Sequence, residues 1–340
     1  MAAPISRSGR AVAAPPASNG VDPRSTTASP RYPLSFRRGP RIMCLGMSAR
    51  DAIYRVAAIP SAPIKVLASG FTECGGGMAA NASVAVARLC GNAAYWGRVG
   101  AGEVGTRIVT ELAAEGVDIG TVRRVPGAAS STDAILVDPN GERLICAYID
   151  PALNPDPSWL PVASVVRFDA VLADVRWPEG AARLFGAAAA AGIPAVFDGD
   201  VGSPEALLDL ARRATHVAFS QPGLLQAAGS DNVGAALARI ADSLPGIVGV
   251  TLGEDGFLWR DGSVERRVPA PRVTAIDTLA AGDVWHGAFT LALGEKMEVQ
   301  NAARFANAAA ALKCTRAGGR RGAPTREEVD NFAAISKSNY

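Results

Sequence analysis

A chain of 340 residues, 49% of them hydrophobic, can bury a full core, and its 34 Lys and Arg against 32 Asp and Glu leave a formal charge of +2 with no broad field for nucleic acid or an anionic membrane. No apolar run reaches the roughly 18 residues that a spanning helix needs. The five cysteines (Cys44, Cys74, Cys90, Cys146, Cys314) form no C-x-x-C pair, and His216 and His286 have no partner at zinc spacing. Small-molecule chemistry in a reducing cytoplasm is the expectation, without a structural zinc site.

Residues 1 to about 40 are rich in Ser, Pro, Ala and Arg with little apolar periodicity, and they read as a disordered basic extension that lacks the apolar core of a secretory signal. At Arg41 the pattern changes. Ile42-Met43-Cys44-Leu45-Gly46 reads as a first buried strand, after which short apolar runs alternate with amphipathic stretches. The spacing predicts helices over 78–90, 104–116, 179–192, 204–213, 232–243, 283–294 and 298–316, with strands at 169–173, 193–198, 215–219 and 247–252. Such a βα rhythm implies an α/β fold around a mostly parallel sheet. Segments of about 52–74 and 119–149 break it. In the second, Thr132 to Val137 and Arg143 to Tyr148 flank Asp138-Pro139-Asn140-Gly141, a hairpin signal. A small β lid is expected there, able to close on a substrate and exclude water. The main domain is expected over 41–330, with 331–340 as a tail.

The most informative segment is Asp277-Thr278-Leu279-Ala280-Ala281-Gly282-Asp283, which leads into an apolar helix. Small side chains at Ala280, Ala281 and Gly282 let an anion approach the main chain, the helix N-terminus adds partial positive charge, and Asp283 in the first turn can take a hydroxyl proton. On spacing alone, Asp277 or Asp283 is equally well a helix cap.

That segment resembles the D-T-x-G-A-G-D signature of the ribokinase-like (PfkB) carbohydrate kinases, and further motifs follow the family's order from about Arg41 to Pro324. Gly75-Gly76-Gly77-Met78-Ala79-Ala80-Asn81, followed by Trp96-Gly97-Arg98-Val99-Gly100, is similar to its first signature, and Val250-Thr251-Leu252-Gly253-Glu254-Asp255-Gly256 to its T-x-G-x-x-G loop. The resemblance implies a three-layer α/β/α sandwich with a small β-sheet lid, MgATP as phosphoryl donor, Asp283 as base beside Ala280, Ala281 and Gly282, and a homodimer formed through the lid. It implies sugar contacts from Asp51, Gly75, Gly76, Gly77 and Asn81, and nucleotide contacts from Ser220, Thr251, Gly253, Gly256 and Asn307. Two departures stand out. Ala280 replaces the usual glycine, which a negative φ would tolerate. Ser220-Gln221-Pro222-Gly223 replaces N-x-x-E, so magnesium is expected to ride on the nucleotide without a direct protein ligand, with Asp198 and Asp200 as outer-shell helpers.

Within the family, 171–177, 197–200 and 311–320 resemble the 6-deoxy-6-sulfofructose kinases, which makes phosphorylation of 6-deoxy-6-sulfofructose to its 1-phosphate the leading expectation, with the sulfonate held by Arg176 and Lys65. Ala147 stands where those kinases carry an asparagine. A fructokinase or sugar-acid kinase remains open on the same residues, as does a nucleoside or vitamin kinase, disfavoured by 6% aromatics. An inactive sugar-binding protein is the alternative of another class.

Overall fold

The structure of the protein is a computed structural model that describes residues 39–337; the expected extension, apart from its last two residues, lies outside them. Strand β1 (Arg41–Gly46) sets the architecture. Ile42 and Cys44 enter one apolar core, Met43 and Leu45 another, and all four are fully buried. A strand apolar on both faces belongs inside a sheet covered on both sides, as parallel sheets are.

The chain continues through β2 (Ala49–Arg55), β3 (Gly70–Gly76), α1 (Met78–Arg88), β4 (Asn92–Gly100), α2 (Glu103–Ala114), β5 (Asp118–Val125), β6 (Ser131–Val137), β7 (Arg143–Tyr148) and β8 (Ala170–Asp174). Then come α3 (Pro178–Ala191), β9 (Ala195–Gly199), α4 (Pro204–Arg213), β10 (His216–Ser220), α5 (Gln221–Ala228), α6 (Val233–Ala241) and β11 (Ile247–Thr251). The strands β12 (Phe257–Asp261) and β13 (Val264–Val268) precede helices α7 (Ala281–Gly294), α8 (Val299–Cys314) and α9 (Arg326–Lys337).

Nine strands form one sheet in the order β13-β12-β11-β10-β9-β8-β1-β4-β5, parallel from β11 to β5 and closed at the other edge by an antiparallel hairpin. Helices α1, α2, α7 and α8 feed one core and α3 to α6 the other, which makes the three layers expected from the βα rhythm. Among the described residues no helix is long and apolar enough to cross a membrane.

A second sheet of four strands, in the order β3-β2-β6-β7, forms the lid. Its boundaries differ from those expected. Residues 118–125 leave it and pair in parallel with β4 at the edge of the large sheet, because Ile119 and Val122 pack on the main core. The first lid segment begins earlier, at Ala49, and 56–69 joins its two strands without helix or strand. The expected tail is also shorter, since α9 runs to Lys337 with Val329 buried and Phe332 packed on the core.

Candidate active site

The C-terminal ends of β9, β10 and β11, the head of α7 and the inner face of the lid enclose a cavity of about 960 Å3. This is where an open α/β sheet places its ligands. Asp277 anchors the turn that enters α7. Its carboxylate accepts from the amides of Leu279 (2.8 Å), Gly318 (2.8 Å) and Gly319 (3.2 Å), while the fully buried Lys313 ammonium donates to its backbone carbonyl at 2.7 Å. Burial alone would raise this carboxyl, but Lys313 and the amides hold it below the usual range.

The next turn departs from expectation. Ala280 adopts φ 64° and ψ 11°, in the left-handed region rather than at negative φ, and caps α7. The tightness of the turn forces it: Ala281 N–H already donates to Thr278 O, and Val284 N–H returns to Ala280 O. An alanine in this conformation costs about 1 kcal/mol relative to glycine. Because the Ala281 amide is engaged, the Gly282 and Asp283 amides are the first-turn donors left facing the cavity, without intrahelical acceptors.

Asp283 lies at the cavity floor, where its Oδ2 accepts from Asn81 Nδ2 at 2.7 Å. Desolvation, with Asp200 and Asp174 nearby, pushes its pKa up to about 7 against the Asn81 hydrogen bond and Arg143, which pull it down. Below it, His286 is wedged between acceptors: Gly282 O at 2.8 Å from Nδ1, and Ala218 O at 3.1 Å and Asp198 Oδ1 at 3.4 Å from Nε2. Burial, then the carboxylates of Asp283, Asp200 and Asp174, raises the Asp198 carboxyl well above its ordinary value.

Glycine spacing shapes the other walls. Gly256 sits at φ 86°, and a Cβ there would lie 2.1 Å from Val268 O; Gly253, at φ 57°, opens the same loop after Thr251. Ser220, Thr251, Gly253, Gly256 and Asn307 all line the cavity. Two of them also have structural work. Ser220 caps α5 through Gly223 N–H and donates to Asp200 Oδ1 at 2.8 Å. Asn307 accepts from Trp285 Nε1 and donates to Val268 O and Pro269 O, so its amide is spent within the protein.

The first glycine signature divides in the same way. Gly77 lines the cavity at φ 90°, whereas Gly75 and Gly76 stand behind the wall and leave room for side chains. A Cβ at Gly75 would lie 1.8 Å from Arg320 Nη2, and one at Gly76 1.8 Å from Asp51 Oδ1. Asp51, 4% exposed, reaches the cavity in that gap. The two expected sulfonate cations separate. Arg176 lines the cavity, but donates to Val201 O (2.6 Å) and pairs with Asp200 (3.3 Å), while Lys65 is exposed in 56–69 outside the cavity wall.

Residues 40–326 match the model of the pfkB family carbohydrate kinases. The chain belongs to this family. Its fold superposes with a TM-score of 0.84 on a crystal structure of a candidate ribokinase from Agrobacterium tumefaciens, 40% identical over 88% of this chain and 99% of that one. It is also 27% identical to the ribokinase of Bacillus subtilis, over 86% of this chain and 98% of that protein, and 31% identical to the fructokinase of Klebsiella pneumoniae, over 63% and 75%.

As a PfkB carbohydrate kinase, the protein transfers a phosphoryl group to a hydroxyl group of a sugar. Several cavity residues escape its motifs. Arg143, at the head of β7, reaches from the lid to donate to Thr278 Oγ1 on the turn that enters α7. Asp133, on β6, stands in register beside Asp51. A polar residue at an inward position of an apolar strand, between Ser131 and Ile135, was its one trace in the sequence. Asp174 lies outside the cavity yet organises it, accepting from the amides of Met47, Ala79 and Arg176.

Proposed function

We propose that this kinase moves the terminal phosphoryl group of ATP onto a primary hydroxyl of a small neutral sugar, of the pentose or ketohexose class, with Asp283 as general base. The observation that carries the reading is the Asp283–Asn81 pair at the cavity floor, beside the amides that open α7. Asp283 removes the hydroxyl proton and the alkoxide attacks the γ-phosphorus in line. The Gly282 and Asp283 amides, with the α7 dipole, stabilise the transferring phosphoryl oxygens. Asp51 orients the sugar, and the loop of Thr251, Gly253 and Gly256 receives the nucleotide.

Magnesium enters with ATP as part of that substrate. Among the described residues no three His, Cys, Asp or Glu side chains converge as a metal cage. Asp198 and Asp200, on the cavity wall, suit a cation that keeps its waters.

A neutral sugar fits the charges at the sugar end, where Asp51, Asp133 and Asp283 face Arg176, itself already paired to Asp200. A second reading, 6-deoxy-6-sulfofructose, draws support from Arg176 at the cavity wall, although Ala147 and the distant Lys65 leave that guanidinium alone. The lid favours a homodimer, since Phe71, Leu144 and Tyr148 expose 57%, 42% and 50% of their surface on its strands. A cytoplasmic setting suits the free, dispersed thiols.

The test is ADP release with MgATP and a panel of ribose, fructose, 6-deoxy-6-sulfofructose, 2-keto-3-deoxygluconate and adenosine. Turnover on ribose or fructose supports the reading, preference for the sulfosugar transfers it to the second, and silence throughout contradicts both.

A further inference from the structure

Strands β2 and β6 run parallel as neighbours, about 4.8 Å apart as sheet strands are, and their register sets Asp51 directly beside Asp133 on the inner face of the lid. Like charges side by side in a sheet are destabilising. The protein nevertheless builds this pair into a wall where water is scarce. Asp51 is 4% exposed, and Gly76 gives up a side chain to seat its Oδ1. No donor elsewhere in the protein reaches that oxygen or Asp133 Oδ1, although both are buried, and the two carboxyls stand within hydrogen-bonding reach of each other. On the far side of Asp133, β7 presents Ala147 in register, so open space rather than a donor adjoins the carboxylate.

Two carboxyl groups that line a substrate cavity, each with a buried oxygen lacking a donor, are an incomplete hydrogen-bonding site, and a buried polar group without a partner costs about 1–3 kcal/mol. Burial, and then the neighbouring carboxylate, pushes Asp51 up to about 8, and burial raises Asp133 as well. The charged and titratable groups facing the pair are Asp283 from α7, Arg176 after β8, Arg320 after α8 and Cys74 on β3. None of them donates a hydrogen bond to the orphaned oxygens. A sugar that brings hydroxyl groups completes the site, whereas one that brings an anionic group meets a carboxyl pair.

We propose that Asp133 is a specificity-determining residue: with Asp51 it forms a proton-sharing carboxyl pair that binds the hydroxyls of an uncharged sugar and turns away sugars bearing a sulfonate, phosphate or carboxylate at that end. The shared proton bridges the two carboxyls, which leaves their remaining lone pairs to accept from sugar hydroxyls. This inference rests on the neutral-sugar reading and names the residue that enforces it.

The experiment compares the wild-type enzyme with Asp133→Asn on ribose, fructose and 6-deoxy-6-sulfofructose at saturating MgATP. The variant is expected to raise KM for the neutral sugar about tenfold with kcat within about threefold, the split that marks lost ground-state binding. It is also expected to shift the ratio of kcat/KM about tenfold toward the sulfosugar. An unchanged KM and an unchanged ratio, in a wild-type enzyme that does use ribose or fructose, overturn the role of Asp133 and leave the neutral-sugar reading intact. A wild-type preference for the sulfosugar overturns both.

A second measurement stands even if Asp133→Asn fails to fold. Calorimetric titration of the preferred neutral sugar into Asp283→Asn protein, in which the Asp283 carboxyl no longer titrates, is expected to show affinity falling several-fold as pH rises through about 8. Affinity independent of pH from 6 to 9 contradicts a shared proton.

Discussion

The two ends of the cavity are built from different materials. At the end proposed for the nucleotide, the polar side chains of Ser220, Thr251 and Asn307 already hold hydrogen bonds inside the protein. At the end proposed for the sugar the reverse holds: Asp51, Asn81 and Asp133 line the cavity, and each has a buried side-chain oxygen without a partner. One end is complete in the free protein; the other waits for its ligand. Recognition by shape and main chain suits a cosubstrate shared across a family, while recognition by desolvated charge suits the partner that distinguishes its members.

The sharpest way to use this contrast is at the floor between the two ends. Asp283→Asn is expected to lower kcat by about 10²–10⁴-fold or more, since a general base contributes that much, with little change in sugar affinity. Calorimetry on the same variant checks the second half. Gly76→Ala comes next. Its Cβ would fall 1.8 Å from Asp51 Oδ1, so the carboxylate must move, and KM for the sugar is expected to rise about 100-fold while KM for ATP stays within twofold. A comparable rise in both constants would erase the distinction between the ends.

Thr251→Ala probes the other side. Its Oγ1 donates only weakly within the protein, to Phe219 O at 3.3 Å, and the loop conformation rests on Gly253 and Gly256. A rise in KM for ATP below tenfold, with sugar KM unchanged, is expected from steady-state kinetics. Smallest is Ala280→Gly, which relieves a left-handed alanine and is expected to raise stability by about 1 kcal/mol in denaturant unfolding. A loss of stability would show that the alanine methyl packs usefully in the turn.

The sequence carried the architecture well where periodicity was unambiguous. The helices expected over 204–213 and 298–316 match α4 and α8 closely; α4 carries Ser203 as its cap, Pro204 and Glu205 in its first turn, and α8 a long run of helix-forming residues. It carried the lid poorly: residues 118–125 are as polar as a lid strand, and only their pairing with β4 assigns them to the main sheet. The motif residues around Asp283 were legible because turn, helix start and acid are contiguous. Asp133 was not, since its meaning lies in a register between strands 82 residues apart in the chain, at Asp51 and Asp133. Lys65 failed for the opposite reason, as a charge in an exposed loop carries no trace of where it points. Nor could local pattern foresee that Gly75 and Gly76 serve the side chains of Arg320 and Asp51 rather than a ligand.

The most direct measurement is the pH dependence of kcat/KM for the sugar between pH 5 and 9, in the wild-type enzyme and in Asp283→Asn. The kcat/KM profile reports ionisation in the free enzyme, and a base must be deprotonated to act. With Asp283 raised to about 7, the wild-type value should climb as pH rises through about 7, and the residual rate of the variant should lack that step. A flat wild-type profile across that range, or the same rise in the variant, would contradict Asp283 as the base.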